Sequence, residues 1–581
     1  MPRPGVLRTA AIISALAVVT LFATAPSGAA TEYAEIEGSG STWAYGIIAP
    51  WIAQVQAAYG MQITFNQSGS SQGRKDFANG VTDFSDSDIP YQGVDPTTGQ
   101  TDASSRRYAY LPVVSGGTAF TYHVTVGGHL VTNLRLSGQT IAKIFTNKIT
   151  NWNDPEITRE NGGHALPSEA IKPVVRSDGS GATAQFTLWM DKQYPSIWRP
   201  FNGGHAGLTS IYPRQGNQIA VAQDAGIMNT IKGSGGEGEI GYTEYSYPLQ
   251  AHYPVVYVEN RANYYVQPNQ YNVAVALTQA RIVGCSKGGA CSPHGIPANS
   301  YLTQNLDGVY TYKDPRTYPL SSYSYMIIPT SRSDQRMTVP KRQTLADFLS
   351  YDLCTGQRLA GPYGYSPLPL NLVKAAFGQL EKLGPNAEGG AVSGVHIKNP
   401  SANLAQCNNP TFVKGNLAAN HLAQIAPMPL ACQKATSQPC GDGTVPPGTN
   451  GNDPNGQNGT NPNGTTPSGT NPNGTTPSGT NPTGTNSGGP SGNTGPTSSD
   501  GTTAPGGNTP TTGDGTTPVN GTTNSDGTTT EAATTPAATE IPANRSTDNA
   551  VWGWTAVLEL LAIVLLPGLY VAWLRRHRSA R

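Results

Sequence analysis

The stretch from Gly441 to Asn544 sets the outer limit on what this chain can fold. It is built of Gly, Thr, Pro, Asn and Ser, and the unit Thr-Asn-Pro-Asn-Gly-Thr-Thr-Pro-Ser-Gly at 460–469 recurs unchanged at 470–479. Such a segment has almost no apolar surface with which to offset the entropy cost of ordering. Residues 441–549 are therefore expected to form a disordered linker with an end-to-end distance of about 50–60 Å, longer where proline stiffens it. Any packed core must lie before it. The linker also supplies much of the glycine, 68 of 581 residues, and depresses the charged fraction to 12%.

The two ends place the chain at a membrane. Residues 1–30 have the pattern of a secretory signal: Arg3 and Arg8, an apolar run Ala10–Ala23 too short to span a bilayer, then the small residues Ser27, Gly28, Ala29 and Ala30 as a cleavage site. Ala550 to Leu574 is apolar except for Glu559, flanked by Trp552 and Trp554 on one side and Trp573 on the other. Arg575, Arg576, His577, Arg578 and Arg581 follow. This pattern predicts a transmembrane helix at 550–574 with a basic cytoplasmic tail at 575–581. The expected organisation is a signal, an exported domain at 31–440, a stalk, and a single-pass anchor in the cell membrane. The 36 basic and 36 acidic residues cancel. No basic field exists to hold nucleic acid by counterion release, so nucleic acid is excluded as a partner and any anion site must be local.

Within 31–440, short apolar runs read as buried strands: Tyr110–Val114, Ala119–Val124, Ile171–Val175, Val255–Val258 and Tyr325–Pro329. Helical periodicity appears in Ala44–Tyr59, Ile141–Phe145, Val273–Ile282, Thr344–Leu353 and Leu372–Lys382. Interleaved strands and helices predict an α/β architecture, and about 400 residues exceed what one core usually takes, which predicts two lobes. The 6 cysteines all fall between 285 and 440. In an exported chain an even number implies disulfides, though not their pairing. Cys285–Cys291 and Cys432–Cys440 would close short loops and leave Cys354–Cys407 as the long closure. With no Cys-x-x-Cys pair and no histidine cluster beside them, a metal site is not expected; no cofactor is expected either.

Three Gly/Ser loops each stand before a helical run: Gly38-Ser39-Gly40-Ser41-Thr42-Trp43, Ser68-Gly69-Ser70-Ser71-Gln72-Gly73 and Arg176-Ser177-Asp178-Gly179-Ser180-Gly181. A helix start points unpaired N–H groups and a positive dipole end into its loop. Any one of these loops alone reads as a turn. Together they can aim backbone amides and hydroxyls at one small oxyanion. The stretch Thr82–Pro90 adds Asp83, Asp86 and Asp88. An ionised carboxylate only accepts hydrogen bonds, so it belongs in an anion site only if the ligand carries a proton.

These pieces, with Ile144–Trp152 and Gly238–Tyr245, match in order and spacing. Over roughly 36–435 the chain resembles the substrate-binding protein of bacterial phosphate ABC transporters, the PstS family. The resemblance implies a two-lobe, type II periplasmic-binding-protein fold, with lobe one at 32–112 plus 326–440 and lobe two at 113–325. The lobes would hinge near Val113 and Ser324 and close on one inorganic phosphate. By position, Thr42, Trp43 and Ser70 would donate from one lobe and Asp88 would accept the phosphate proton. Arg176, Ser180, Gly181 and Ala182 would contribute from the other lobe, with Asp178 holding Arg176. The implied partner is an ABC permease in the same membrane. Two residues depart from the family pattern. Ala182 stands where the family has Thr, losing a hydroxyl unless Thr183 replaces it. Asp86 stands where a small residue is common, and is expected to point outward as a loop acid.

Two other functions compete. Gly69-Ser70-Ser71-Gln72-Gly73 fits the Gly-x-Ser-x-Gly elbow of a hydrolase, with Ser71 as nucleophile and His396 or His421 as base. Alternatively, the fold serves as a surface interaction protein that has lost its oxyanion.

Overall fold

The computed structural model describes residues 33–94, 101–398 and 404–441. The signal segment 1–30, the linker beyond Gly441, the segment 550–574 with Glu559, and the tail 575–581 lie outside the described residues. Among the described residues no helix is long and apolar enough to cross a membrane.

Strands and helices alternate from the start. The principal elements are β1 (Ile36–Gly40), α1 (Thr42–Tyr59), β2 (Ile63–Asn66), α2 (Ser70–Ala78), β3 (Phe84–Ser87), β4 (Tyr108–Tyr122), α3 (Gly138–Phe145), β5 (Lys172–Arg176) and α4 (Gly181–Gln193). They continue with β6 (Ile219–Val221), α5 (Gln223–Lys232), β7 (Glu239–Glu244), α6 (Gln270–Leu277), β8 (Ser321–Pro329), α7 (Val339–Leu353) and α8 (Leu370–Leu380). All eight strands join one mixed sheet in the order β6-β5-β7-β4-β8-β3-β1-β2. β1 runs parallel to β2 and β3 at one end, and β5 runs parallel to β6 and β7 at the other. Between them β4 and β8 pair antiparallel to each other and to their outer neighbours. Each parallel end thus has its own strand–helix crossovers.

The expected strands 110–114 and 119–124 form one continuous strand, β4, of 15 residues. Ser115-Gly116-Gly117-Thr118 reads as a turn, but Gly116 and Gly117 pair with Ser322 and Ser321 of β8. These glycines serve close packing. A Cβ on Gly116 would stand 2.8 Å from the Trp43 ring, and one on Gly117 would stand 2.4 Å from Pro268. The expected helix 273–282 stops at Leu277, because Arg281–Ile282 pairs with Gln304–Asn305 as a small antiparallel ladder.

An apolar core lines the sheet on both sides. At the β1–β3 end Phe84 meets Phe348 of α7, with ring centroids 6.1 Å apart. At the β5–β7 end Phe120, Phe145, Phe186 and Tyr242 form a ring cluster, with Phe186 and Tyr242 5.0 Å apart. This packing fixes where the first turns of α1 and α4 stand, and those turns carry the site.

The structure contains the disulfides Cys285–Cys291, Cys354–Cys407 and Cys432–Cys440. Cys354–Cys407 ties the end of α7 to a segment 53 residues on. The last loop, 432–440, is clasped by Arg135, whose guanidinium donates to the carbonyls of Ser437 and Cys432. Removing Cys354–Cys407 by Cys354→Ser with Cys407→Ser is expected to cost about 2–4 kcal/mol, since it frees a long loop in the unfolded chain. Urea unfolding of the oxidised double variant beside the wild type measures this; equal midpoints would contradict it.

Candidate functional site

The loops singled out in the sequence all sit at the carboxyl ends of parallel strands. β1 leads into α1, β2 into α2, β5 into α4 and β6 into α5. Ligand sites of open α/β sheets form at such ends, where helix N-termini gather. Local chemistry sets each start. Ser41 caps α1 by accepting from Ala44 N, and Ser180 caps α4 by accepting from Thr183 N at 3.2 Å. Gly69, at φ 86°, precedes α2. A Cβ there would stand 2.7 Å from Asp178 Oδ2, so a larger residue would push the two loops apart.

Two clusters face each other, one centred on a carboxylate and one on a guanidinium. The first is built on Asp88. Its carboxyl group accepts from Ser41 Oγ at 2.8 and 3.0 Å, from Ser70 Oγ at 3.0 Å and from Ser324 Oγ at 2.7 Å. The second is built on Arg176. Its Nε and Nη2 form a fork on Asp178 at 2.7 and 2.5 Å, and its Nη1 bonds Asp224 at 2.5 Å. Nη2 also donates to Thr42 Oγ1 at 2.9 Å, and Thr42 Oγ1 donates to Asp224 at 2.5 Å. The α4 start touches the first cluster: a Cβ on Gly181 would stand 2.3 Å from Asp88 Oδ2 and 2.6 Å from Ser70 Oγ. Ser71 N donates to Gly179 O at 3.0 Å, and Gln223 Nε2 donates to Gln67 O at 2.8 Å. A cavity of about 310 Å³ opens beside these contacts, lined by Ser71, Arg74, Asp178, Gly179 and Ile211 among others. A larger cavity of about 510 Å³ beside Trp189, Tyr194 and Tyr265 holds none of the residues the sequence points to.

Burial sets the protonation. It raises the Asp88 pKa to about 6, against hydrogen bonds from Ser324, Ser41 and Ser70 that pull it down. Burial disfavours the Arg176 charge, but Asp224 and Asp178 more than offset this and its pKa is raised. For Asp178 burial is likewise outweighed, and the Arg176 hydrogen bond and charge hold it below the usual carboxylate range.

Thr42, Ser70, Asp88, Arg176, Asp178, Ser180 and Gly181 therefore come together. Trp43 stands at the α1 start with its side chain engaged away from Asp88 and Arg176. Its indole Nε1 donates to Thr118 Oγ1 at 3.2 Å and its ring meets Tyr365 edge-on at 5.8 Å. Ala182 sits in the first turn of α4 with its methyl group in the core, leaving the N–H as its polar group there. Thr183 does not replace the lost hydroxyl: its Oγ1 is paired with Tyr242 Oη at 2.7 Å. Asp86 contradicts the expectation of an outward loop acid. It lies in β3, 0% exposed, and accepts from or donates to Ser324 at 2.7 Å. Ser71 Oγ takes a 3.4 Å hydrogen bond from Arg74, and neither His396 nor His421 is among its partners.

Three members were not foreseen. Ser41 was legible in principle, since a Ser before a helical run is a cap whose hydroxyl lies at the helix mouth. Asp224 lies 48 residues from Arg176, and no spacing links them. It is fully satisfied, accepting from Thr42, Arg176, Thr243 and the Glu244 amide. Ser324 reaches the site only through sheet register.

The family model of a PBP superfamily domain matches residues 25–354. The phosphate-binding protein PstS of Xylella fastidiosa strain Temecula1 is 30% identical over 352 residues, covering 60% of this chain and 86% of that protein. The phosphate-binding protein PstS 2 of Mycobacterium tuberculosis is 28% identical over 388 residues, covering 62% and 95%. Among solved structures, a phosphate-binding protein from Stenotrophomonas maltophilia is 16% identical, with a TM-score of 0.42 over 63% of this chain and 97% of that one. A match over more than half of the chain, together with the Xylella fastidiosa relative covered over most of its length, settles the kinship: this chain belongs to the PBP superfamily, within the PstS family of substrate-binding proteins.

Proposed function

We propose that the chain captures inorganic phosphate between the β1–β3 end and the β5–β7 end of its sheet and hands it to an ABC permease. The observation that carries this reading is the convergence of the α1, α2 and α4 starts on Asp88 and Arg176. Each helix start contributes a partial positive charge of roughly half a unit, and first-turn amides with no intrahelical acceptor. The amides of Thr42, Trp43, Gly181 and Ala182 and the hydroxyls of Thr42, Ser70 and Ser180 are the donors. Asp88 is the acceptor for the one proton of hydrogen phosphate. Asp178 holds Arg176 in the orientation a fork needs. β4 and β8 are the two strands that cross between the halves, which makes Val113 and Ser324 the hinge between lobe one and lobe two. The relatives' names concern phosphate binding, and the apolar segment 550–574 after a long polar stalk supports tethering of the domain outside the cell.

A rival reading has one observation in its favour. Arg176 already spends four of its five N–H groups on Asp178, Asp224 and Thr42. A chain kept only for contacts at the cell surface would show such a self-satisfied site. Calorimetry on phosphate-stripped full-length protein decides. The phosphate reading expects binding of phosphate and arsenate, both able to carry a proton, and weak binding of sulfate. No binding of phosphate at millimolar levels would overturn it and leave the surface role.

A further inference from the structure

Asp86 has no place in the phosphate site described so far, yet it is wired to it. Side chains two apart share a face of a strand, so Asp86 and Asp88 project together from β3 and its end. Across the ladder Tyr325 stands opposite Ser87 and Met326 opposite Asp86, which brings Ser324 level with Asp88 and diagonal to Asp86. The pairing of β8 with β4 shifts register between Ser324 and Tyr325, a local irregularity of the kind that re-aims a side chain. Ser324 Oγ stands 2.7 Å from Asp86 Oδ1 and 2.7 Å from Asp88 Oδ1.

A hydroxyl has one proton to give. Both short contacts cannot be donations from Ser324, so one of the two carboxyl groups donates to it. The surroundings decide which. Asp88 also receives the Ser41 and Ser70 hydroxyls, the environment of an ionised acceptor. Asp86 has no such donors: its Oδ2 is buried without a hydrogen-bond partner, and among the described residues no cation pairs with it. The titratable groups that face it are Asp88 on its own segment and Asp352 from α7, whose two carboxyl oxygens are also buried without partners. Asp224 faces Asp88 from α5. A negative Asp86 would be an unpaired charge among acids in the interior. Burial first, then the Asp88 charge, drives its pKa well up.

We infer that Asp86 is a positioning residue for anion selectivity: it keeps a proton at neutral pH, donates it to Ser324 Oγ, and so turns the Ser324 proton onto Asp88. This rests on the phosphate reading. The chain Asp86–H···Ser324–H···Asp88 leaves Asp88 a pure acceptor for the ligand's proton. When Asp86 loses its own proton on the alkaline side, Ser324 turns back to it. Asp88 then loses a donor, and a second negative charge stands beside the anion. Phosphate affinity falls with rising pH, approaching tenfold per pH unit for one released proton.

The test uses full-length protein as wild type, Asp86→Asn and Ser324→Ala. An asparagine amide can still donate to Ser324 but has nothing to titrate. Calorimetry is expected to show Asp86→Asn binding phosphate at pH 7 within about threefold of wild type, with the alkaline decline gone. Ser324→Ala is expected to keep only a shallower decline, because Asp86 no longer acts through the hydroxyl and only its charge still reaches Asp88 and the anion. Infrared difference spectra of wild type minus Asp86→Asn, taken without ligand, are expected to contain a protonated-carboxyl C=O band at neutral pH that shifts in a Ser324→Ala background. Absence of that band, or an alkaline decline unchanged in Asp86→Asn, overturns the inference. If wild type binds no phosphate at any pH, the phosphate reading fails, and the infrared band still decides the protonation of Asp86.

Discussion

Arg176→Ala is expected to abolish phosphate retention and to lower the stability of the ligand-free protein by about 3–5 kcal/mol, the range for removing one partner of a buried ion pair. Arg176 is 2% exposed, and its guanidinium is the cation between Asp178 and Asp224. Its loss strands Asp224, which is 0% exposed, beside a Thr42 hydroxyl that Arg176 also holds. The α1 and α4 starts, drawn together through that contact, lose their common anchor. Arg176→Lys separates the two effects. A lysine keeps the positive charge, but as a point charge it cannot fork on Asp178 while reaching Asp224 and Thr42. It should recover most of the stability and little of the affinity. Urea unfolding without ligand reads the first, and calorimetry below the unfolding temperature reads the second. An Arg176→Ala protein that folds and binds phosphate like the wild type would show that the ligand sits elsewhere.

The site was more legible than the sheet that carries it. Each Gly/Ser loop announces itself by composition, because a helix start needs a cap and a turn needs glycine. Thr42, Ser70 and Arg176 lie in those loops and Asp88 in the acidic stretch Thr82–Pro90, and their individual roles follow from the family resemblance. What stayed hidden depends on pairing between distant segments. Gly116 and Gly117 carry the same signal whether they turn the chain or make room for Trp43 and Pro268, and only the ladder with β8 separates the two. Asp86 reads as a loop acid because an acid between serines is usually solvated. Its burial comes from β3 lying between β1 and β8 in the sheet, with α7 bringing Asp352 up to it. Asp224 is invisible for the same reason: its partners come from α1, the last residue of β5, and β7, none near it in sequence apart from Thr243 and Glu244.

Asp88→Asn is expected to collapse the preference for phosphate over sulfate. In the wild type Asp88 accepts three serine hydroxyls and, on the phosphate reading, the proton of hydrogen phosphate. Sulfate is fully ionised at neutral pH and would set its lone pairs against those of the carboxylate, a contact that disfavours it. Asparagine replaces one acceptor oxygen by an NH₂ group. That group meets the phosphate proton donor to donor but can give a hydrogen bond to sulfate. Losing a hydrogen bond to a charged group is worth about 1.5–3 kcal/mol, so phosphate affinity should fall roughly 10- to 150-fold while sulfate affinity rises. Acid should do to the wild type what the substitution does. Burial raises the Asp88 pKa to about 6, so below that pH the carboxyl group carries its own proton and can donate it to sulfate. Discrimination by the wild type should decline as pH falls through about 6, whereas Asp88→Asn should show the same low discrimination on both sides of that pH. Competition calorimetry with the two anions at pH 5 and pH 7 reads both effects. Equal phosphate-to-sulfate ratios for wild type and variant at pH 7 would remove Asp88 from the proton-reading role.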